Sequence, residues 1–250
     1  MKILAYIMRN NGGVGRVLNT LAPEMKKLGH QLEVVSREDD LGCFSMVKSV
    51  FKMNKDIKTR DYDILLTNDW SIALPFILKP NHFSIFHGIQ LSKISRIFQQ
   101  TIGKFIGRKL MVVGPGLLSM FPASNYTPNG IDTKKFFDMN VERKCLGWVK
   151  REHDEIGLED VQALADEMGL ELSVAEGIHP DKMNEWYNSL QVFISKPTGV
   201  AGFNLCWVEA YRAGVPIILG NDNGIGINNI RNEDLTAENQ ARKIHEVITR

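Results

Sequence analysis

The chain has 250 residues, 44% of them hydrophobic and 24% charged, with a formal net charge of +1. That length can bury a substantial core as one large α/β domain or two small ones, whereas the near-neutral charge provides no field to draw in nucleic acid. Cys43, Cys145 and Cys206 are odd in number, far apart and without metal-ligand spacing, which reads as reduced thiols in a cytoplasmic protein. No apolar run approaches the ~20 residues that span a bilayer, and the amino terminus lacks a signal-peptide pattern.

Lys2 to Met8 is a short β-rich run. A glycine loop follows, then a helical stretch in which Val14, Val17, Leu18, Leu21, Met25 and Leu28 recur at helical spacing until Gly29 stops it. Pro23 removes one intrahelical bond and is expected to bend or split this helix. Further strands are predicted at Gln31 to Ser36, Asp63 to Asn68, Phe83 to Gly88 and Lys109 to Gly114. Asp61 and Asp63 spell a D-x-D pair, but they precede the apolar run Ile64 to Leu66. That places them at the amino end of a strand, away from the edge where doubly wound sheets bind ligands, so no essential metal is predicted. Asn68, Asp69 and Trp70 fall at the opposite, carboxyl end, where they suit a ligand contact or, through Asp69, a helix cap.

The pattern begins again after the linker Asn125 to Phe137. Strands are predicted at Cys145 to Val149, Leu170 to Gly177, Gln191 to Lys196 and Val215 to Gly220, with helices at Gly157 to Gly169 and His179 to Leu190. Pro180 is tolerated in the first turn of the second helix. Strands alternating with helices argue for α/β architecture: two Rossmann-like, doubly wound parallel sheets facing across a cleft, residues 1–135 and 136–250. Arg231 to Arg250 reads as a short polar tail.

Pro197 to Asn221 carries most of the chemistry. Gly199 and Gly202 permit a tight turn, and a helix beginning near Asn204 presents unpaired N–H groups and a positive dipole end that suit a diphosphate. Glu209 lies within that helix, where its carboxylate could accept from two ribose hydroxyls or stand as an ordinary surface group. Gly12, Gly13 and Gly15 permit similar close approach near the amino terminus, and Arg16 adds a cation.

Gly202, Phe203, Leu205, Glu209, Ala210, Gly214 and Pro216 resemble the donor loop of retaining, GT-B-type glycosyltransferases of the glycogen-synthase-like and mannosyltransferase-like group. The order of the GGVGR loop, the His87–Gly88 pair and the TPNGIDTKKF linker resembles the same family as far as about Ile227. The resemblance implies a donor-binding set of Gly13, Gly15, Arg16, Lys196, Gly202, Phe203, Asn204, Leu205 and Glu209. It implies His87 beside the reacting sugar, and Lys150 and Arg151 opposite the leaving diphosphate. The co-substrate is then a nucleoside diphosphate sugar, the acceptor is unidentified, transfer proceeds with retention, and neither metal nor cofactor is needed. Ala201 stands where the family has the glutamate near the donor sugar, Asn204 replaces a glycine, and Trp148 replaces an arginine. Ala201, Trp148 and the short tail motivate a rival reading as a non-catalytic nucleotide-sugar-binding or interaction module. The family's carboxy-terminal helix, which returns to the first domain, is not expected in so short a tail.

A more distant alternative is an NADP-dependent oxidoreductase, since GGVGR opens a helix after a strand and Ser36 and Arg37 suit a 2′-phosphate. Leu18 occupies the third glycine position of that fingerprint. Phe51 to Arg60 and Lys93 to Lys109 interleave Lys or Arg with Ile and Phe, which suits either peripheral membrane contact or a Rossmann helix with its lysines in water.

Overall fold

The computed structural model describes residues 1–7, 13–36, 55, 57–90, 92–150, 156–196, 204–220 and 234–250. The chain divides into two compact units, residues 1–130 with 237–250, and residues 131–236.

The first unit is built on six strands, β1 (Lys2–Ile7), β2 (Gln31–Ser36), β3 (Ile64–Thr67), β4 (His82–Phe86), β5 (Leu110–Val112) and β6 (Asn125–Tyr126). Their order is β2-β1-β3-β4-β5-β6 and every pairing is parallel. Ile3 to Ile7 and all of β3, β4 and β5 are buried, as expected of strands covered on both faces, and they bring the polar Thr67, His82 and Ser84 into the core. Helix α1 (Gly13–Lys27) buries Val17, Leu18, Leu21 and Met25, which share one face. It runs unbroken through Pro23, so the expected split does not occur: one missing bond is outvoted by the apolar face on either side. Gly29, at φ 78°, makes the stop.

Helix α2 (Trp70–Ala73) follows β3 and leads into a 3₁₀ turn at Leu74–Phe76. Helix α3 (Lys93–Ile106) buries Gln99, Ile102, Gly103 and Ile106. A Cβ at Gly103 would stand 2.4 Å from the Phe121 ring, so only glycine allows this approach. Helix α4 (Pro115–Met120) completes the run.

The second unit carries four parallel strands, β7 (Cys145–Trp148), β8 (Glu171–Val174), β9 (Leu190–Ser195) and β10 (Ile217–Gly220), in the order β10-β9-β7-β8. Helix α5 (Leu158–Met168) lays Val161 and Ala165 on Leu146, Trp148, Val192 and Ile194. A 3₁₀ turn at Pro180–Lys182 opens α6 (Met183–Asn188), and α7 (Leu205–Arg212) precedes β10.

Arg143 pins this unit together. Its guanidinium donates to the carbonyls of Tyr187 (3.2 Å) and Asn188 (3.1 Å) at the end of α6 and of Ala213 (2.7 Å) at the end of α7, with Asp138 Oδ1 at 2.8 Å. A cation at two helix carboxyl ends satisfies carbonyls that the helices leave unpaired.

The polar-tail reading is corrected. Ala237–Ile248 forms helix α8, which packs on α1 and buries Ala237, Ala241, Ile244, Val247 and Ile248. Gln240 fixes it further, accepting from Gly130 N–H at 2.8 Å and donating to Asn129 Oδ1 at 3.2 Å. Residues 237–250 therefore belong to the first unit rather than the second. Ile131 donates to the Leu235 carbonyl at 3.0 Å and bridges Thr236 in parallel, so the outgoing and returning chain segments run side by side.

Candidate functional site

In the second sheet β7 and β9 are central neighbours, and the strand order reverses between them. Ligands of open α/β sheets bind at the carboxyl edge of such a switch point. Lys150 follows β7 there and Lys196 follows β9; both are exposed. Lys150 Nζ lies 3.4 Å from Glu176 Oε1, so its charge is shared with a surface carboxylate. Asn204 precedes α7 as expected, but its side chain does not cap the helix. It is buried and donates to Ser195 Oγ at 3.2 Å, tying the start of α7 to the end of β9.

Glu209 is only 5% exposed, which removes the surface-residue reading. Tyr187, on α6, donates its O–H to Glu209 Oε2 at 2.9 Å. Burial, with the Cys206 thiol and the Glu209 carboxylate alongside, pushes the Tyr187 phenol well above its ordinary value, so it remains a donor. A buried carboxylate needs such partners. Tyr187 was not singled out from the sequence. It sits in an aromatic cluster with Phe136, Trp186 and Phe193, where a core tyrosine and a carboxylate's partner look alike. Leu205 is the first residue of α7. Arg151, Ala201, Gly202 and Phe203 lie outside the described residues.

The first sheet reverses between β1 and β3, and its carboxyl edge collects a second polar group. His87 follows β4, and its Nε2 is 2.9 Å from Asn68 Oδ1, beyond the end of β3. Burial lowers the His87 pKa to about 4, so the ring is neutral at physiological pH. Nε2–H then donates to Asn68 and Nδ1 is left as an acceptor. The Asn68 amide nitrogen is buried and has no hydrogen-bond partner among the described residues. Asp69 resolves the choice left open above by capping α2, accepting from Ser71 N at 2.8 Å and Ser71 Oγ at 3.0 Å. Burial raises its pKa, and these bonds partly oppose the rise. Its backbone sits at φ 142°, a region that non-glycine residues seldom adopt and that gathers at functional sites. Gly13, Gly15 and Arg16 open α1 beyond the end of β1 at the same edge; Gly15 is buried and Arg16 exposed.

Asp61 and Asp63 lie at the amino edge of the first sheet, as the sequence indicates. Asp61 pairs with Lys2 Nζ, and Asp63 accepts from Lys2 N–H at 2.7 Å. A concavity there is lined by Lys2, Glu33, Arg60 and Asp61, whose charges pair with one another. Among the described residues no three His, Cys, Asp or Glu side chains group to hold a metal. Cys145 and Cys206 form no disulfide; Cys43 and Arg37 lie outside the described residues.

Two Rossmann-like parallel-sheet domains in one chain define the GT-B fold, and solved structures bear this out. Sucrose-phosphate synthase from Thermosynechococcus elongatus matches with a TM-score of 0.63 at 12% identity, over 100% of this chain and 94% of that one. Anabaena HepE, solved with UDP and glucose, matches at 0.61 and 12%, over 100% and 95%. UDP-N-acetylglucosamine 2-epimerase from Rickettsia bellii matches at 0.63 and 10%, over 100% and 96%. At such identities the likeness carries the fold. No family model matches the chain, and no curated protein matches it by sequence.

Proposed function

We propose that this chain is a glycosyltransferase that moves a sugar from a nucleoside diphosphate sugar to a hydroxyl acceptor. The observation that carries the proposal is the buried Glu209 carboxylate, held by Tyr187 one turn inside a helix that starts beside the end of β9. In this reading the carboxylate takes the ribose hydroxyls, and the backbone at Asn204 and Leu205 receives the diphosphate. Lys150 and Lys196 neutralise the charge that develops on the leaving group. The neutral His87 ring, oriented by Asn68, accepts a hydrogen bond from a hydroxyl of the donor sugar or acceptor. Departure of the diphosphate on the face where the acceptor enters, with its oxygen taking the acceptor proton, gives retention without a protein nucleophile or a metal.

The deciding experiment incubates the whole chain with a panel of UDP- and GDP-sugars and analyses the products. Release of nucleoside diphosphate supports a transferase, in its hydrolytic side reaction. Conversion of the donor into an isomer with the nucleotide still attached would replace transfer by epimerisation, a chemistry found on the same fold in one of the matched structures. Tight donor binding without any turnover would favour the binding module, a reading motivated by Ala201 and by the Lys150–Glu176 pair.

A further inference from the structure

Helix α3 has two apolar faces. One, formed by Ile102, Gly103 and Ile106 with Gln99, is buried in the first unit. The other is not covered: Ile94 is 68% exposed, Ile97 54%, Phe98 50% and Phe105 73%. Positions 94, 98 and 105 follow the i, i+4, i+11 spacing of a single stripe, with Ile97 beside it. Four large apolar side chains in solvent on one short helix exceed the scattered exposure that ordinary surfaces carry. Phe98 is also set by stacking on Trp70, ring centroids 5.8 Å apart, which holds it in the stripe.

Charge decides what covers this face. Lys93, Arg96, Lys104 and Arg108 are all exposed on or just beyond α3, and none makes an ion pair among the described residues. Over the whole stretch from Trp70 to Ile131 the sequence has no aspartate or glutamate. A chain with a net charge of only +1 thus concentrates cations along its exposed apolar helix face, with no acidic residue in the same stretch of sequence. An apolar stripe flanked by Lys and Arg is the arrangement that lies in a bilayer interface, the side chains entering the acyl boundary and the cations meeting anionic headgroups.

We propose that the exposed face of α3 docks the first unit on an anionic lipid surface. Each cation near such a surface strengthens partitioning by about fivefold, and added salt screens that part.

The test is sedimentation of the full chain with vesicles of phosphatidylcholine alone or mixed with phosphatidylglycerol. Binding is expected on the mixed vesicles, weakened at least ~10-fold on phosphatidylcholine alone and by high salt. Ile94→Ser with Phe105→Ser should reduce binding ~10-fold or more, and so, independently, should Lys93→Gln with Lys104→Gln. All four positions are exposed, and unchanged thermal unfolding would show that the variants are folded. Absence of binding to the mixed vesicles, or equal binding by parent and both double variants, overturns the proposal. So does a dimer in sedimentation velocity that the Ile94→Ser, Phe105→Ser pair dissociates, since the face would then be covered by a second copy of the chain. Donor turnover in detergent-free buffer reads the Proposed function separately from these outcomes.

Discussion

Tyr187 and Glu209 are joined by a 2.9 Å hydrogen bond between two helices that flank β9. Because a phenol donor holds one carboxylate oxygen, the two residues carry separable consequences. Tyr187→Phe removes the donor while keeping the ring, so stability should fall by ~1–3 kcal/mol, the cost of an under-satisfied buried acceptor. Urea unfolding measures this, and an unchanged midpoint would mean that the bond contributes nothing.

Glu209→Gln preserves shape but exchanges a charged acceptor for a neutral amide. Donor affinity should fall by ~1.5–3 kcal/mol for every nucleotide sugar that binds, as calorimetry with UDP and GDP would read. Unaltered affinity in the folded variant would reduce Glu209 to a core residue and remove the support for the donor site. Glutamate at position 201 should instead alter sugar selectivity or turnover more than affinity for the bare diphosphate.

Acid should loosen the first unit through its histidines. Burial holds the pKa of His87 and of His82 at about 4, below the ordinary value of 6.5, and Lys109 and Lys79 add to the effect at His82. The unfolded chain therefore binds protons first as pH falls from 6.5, stability declines across the interval down to about 4, and the loss levels off below it. Urea midpoints measured through that window should fall less steeply in His87→Gln than in the parent. Ring resonances titrating near 6.5 would contradict the assignment.

Removing metal should leave donor binding and turnover intact, because the proposed charge neutralisation uses Lys150, Lys196 and a helix start. Assays in excess chelator test this; strict dependence on magnesium or manganese would require a metal-assisted mechanism and a search for its ligands.

Arg143→Ala should destabilise the second unit by at least ~2 kcal/mol, since carbonyls at the ends of α6 and α7 lose one shared charged donor. Arg143→Lys should restore little, because an ammonium lacks the planar fork that reaches both helix ends. Full rescue by lysine would show that charge alone matters.

Most strands were legible because runs such as Ile64 to Thr67 and Gln191 to Ser195 are apolar, short and bounded by polar or glycine residues. Helix α8 was not. Its core face is set by Ala237, Ala241, Ile244, Val247 and Ile248, two of them small, interleaved with Glu238, Arg242, Lys243 and Glu246. The carboxyl-edge positions of His87 and Asn68 followed from strand direction alone. Their bond to each other did not, because it depends on β3 and β4 being neighbours, nor did the turn of Asn204 toward Ser195, which depends on how the start of α7 packs on β9. A buried carboxylate such as Glu209 likewise declares its burial only when α6 and α7 meet.

The return of α8 to α1 imposes an order on synthesis. Residues 131–236 are contiguous and emerge whole, whereas the first unit lacks the cover for α1 until residues 237–248 emerge. Until then the nascent chain must keep the apolar face of α1 from other partners. Helix α8, made long after α1, thus acts as a closing clasp on it, joining segments more than two hundred positions apart, as the contact of His30 with His245 marks.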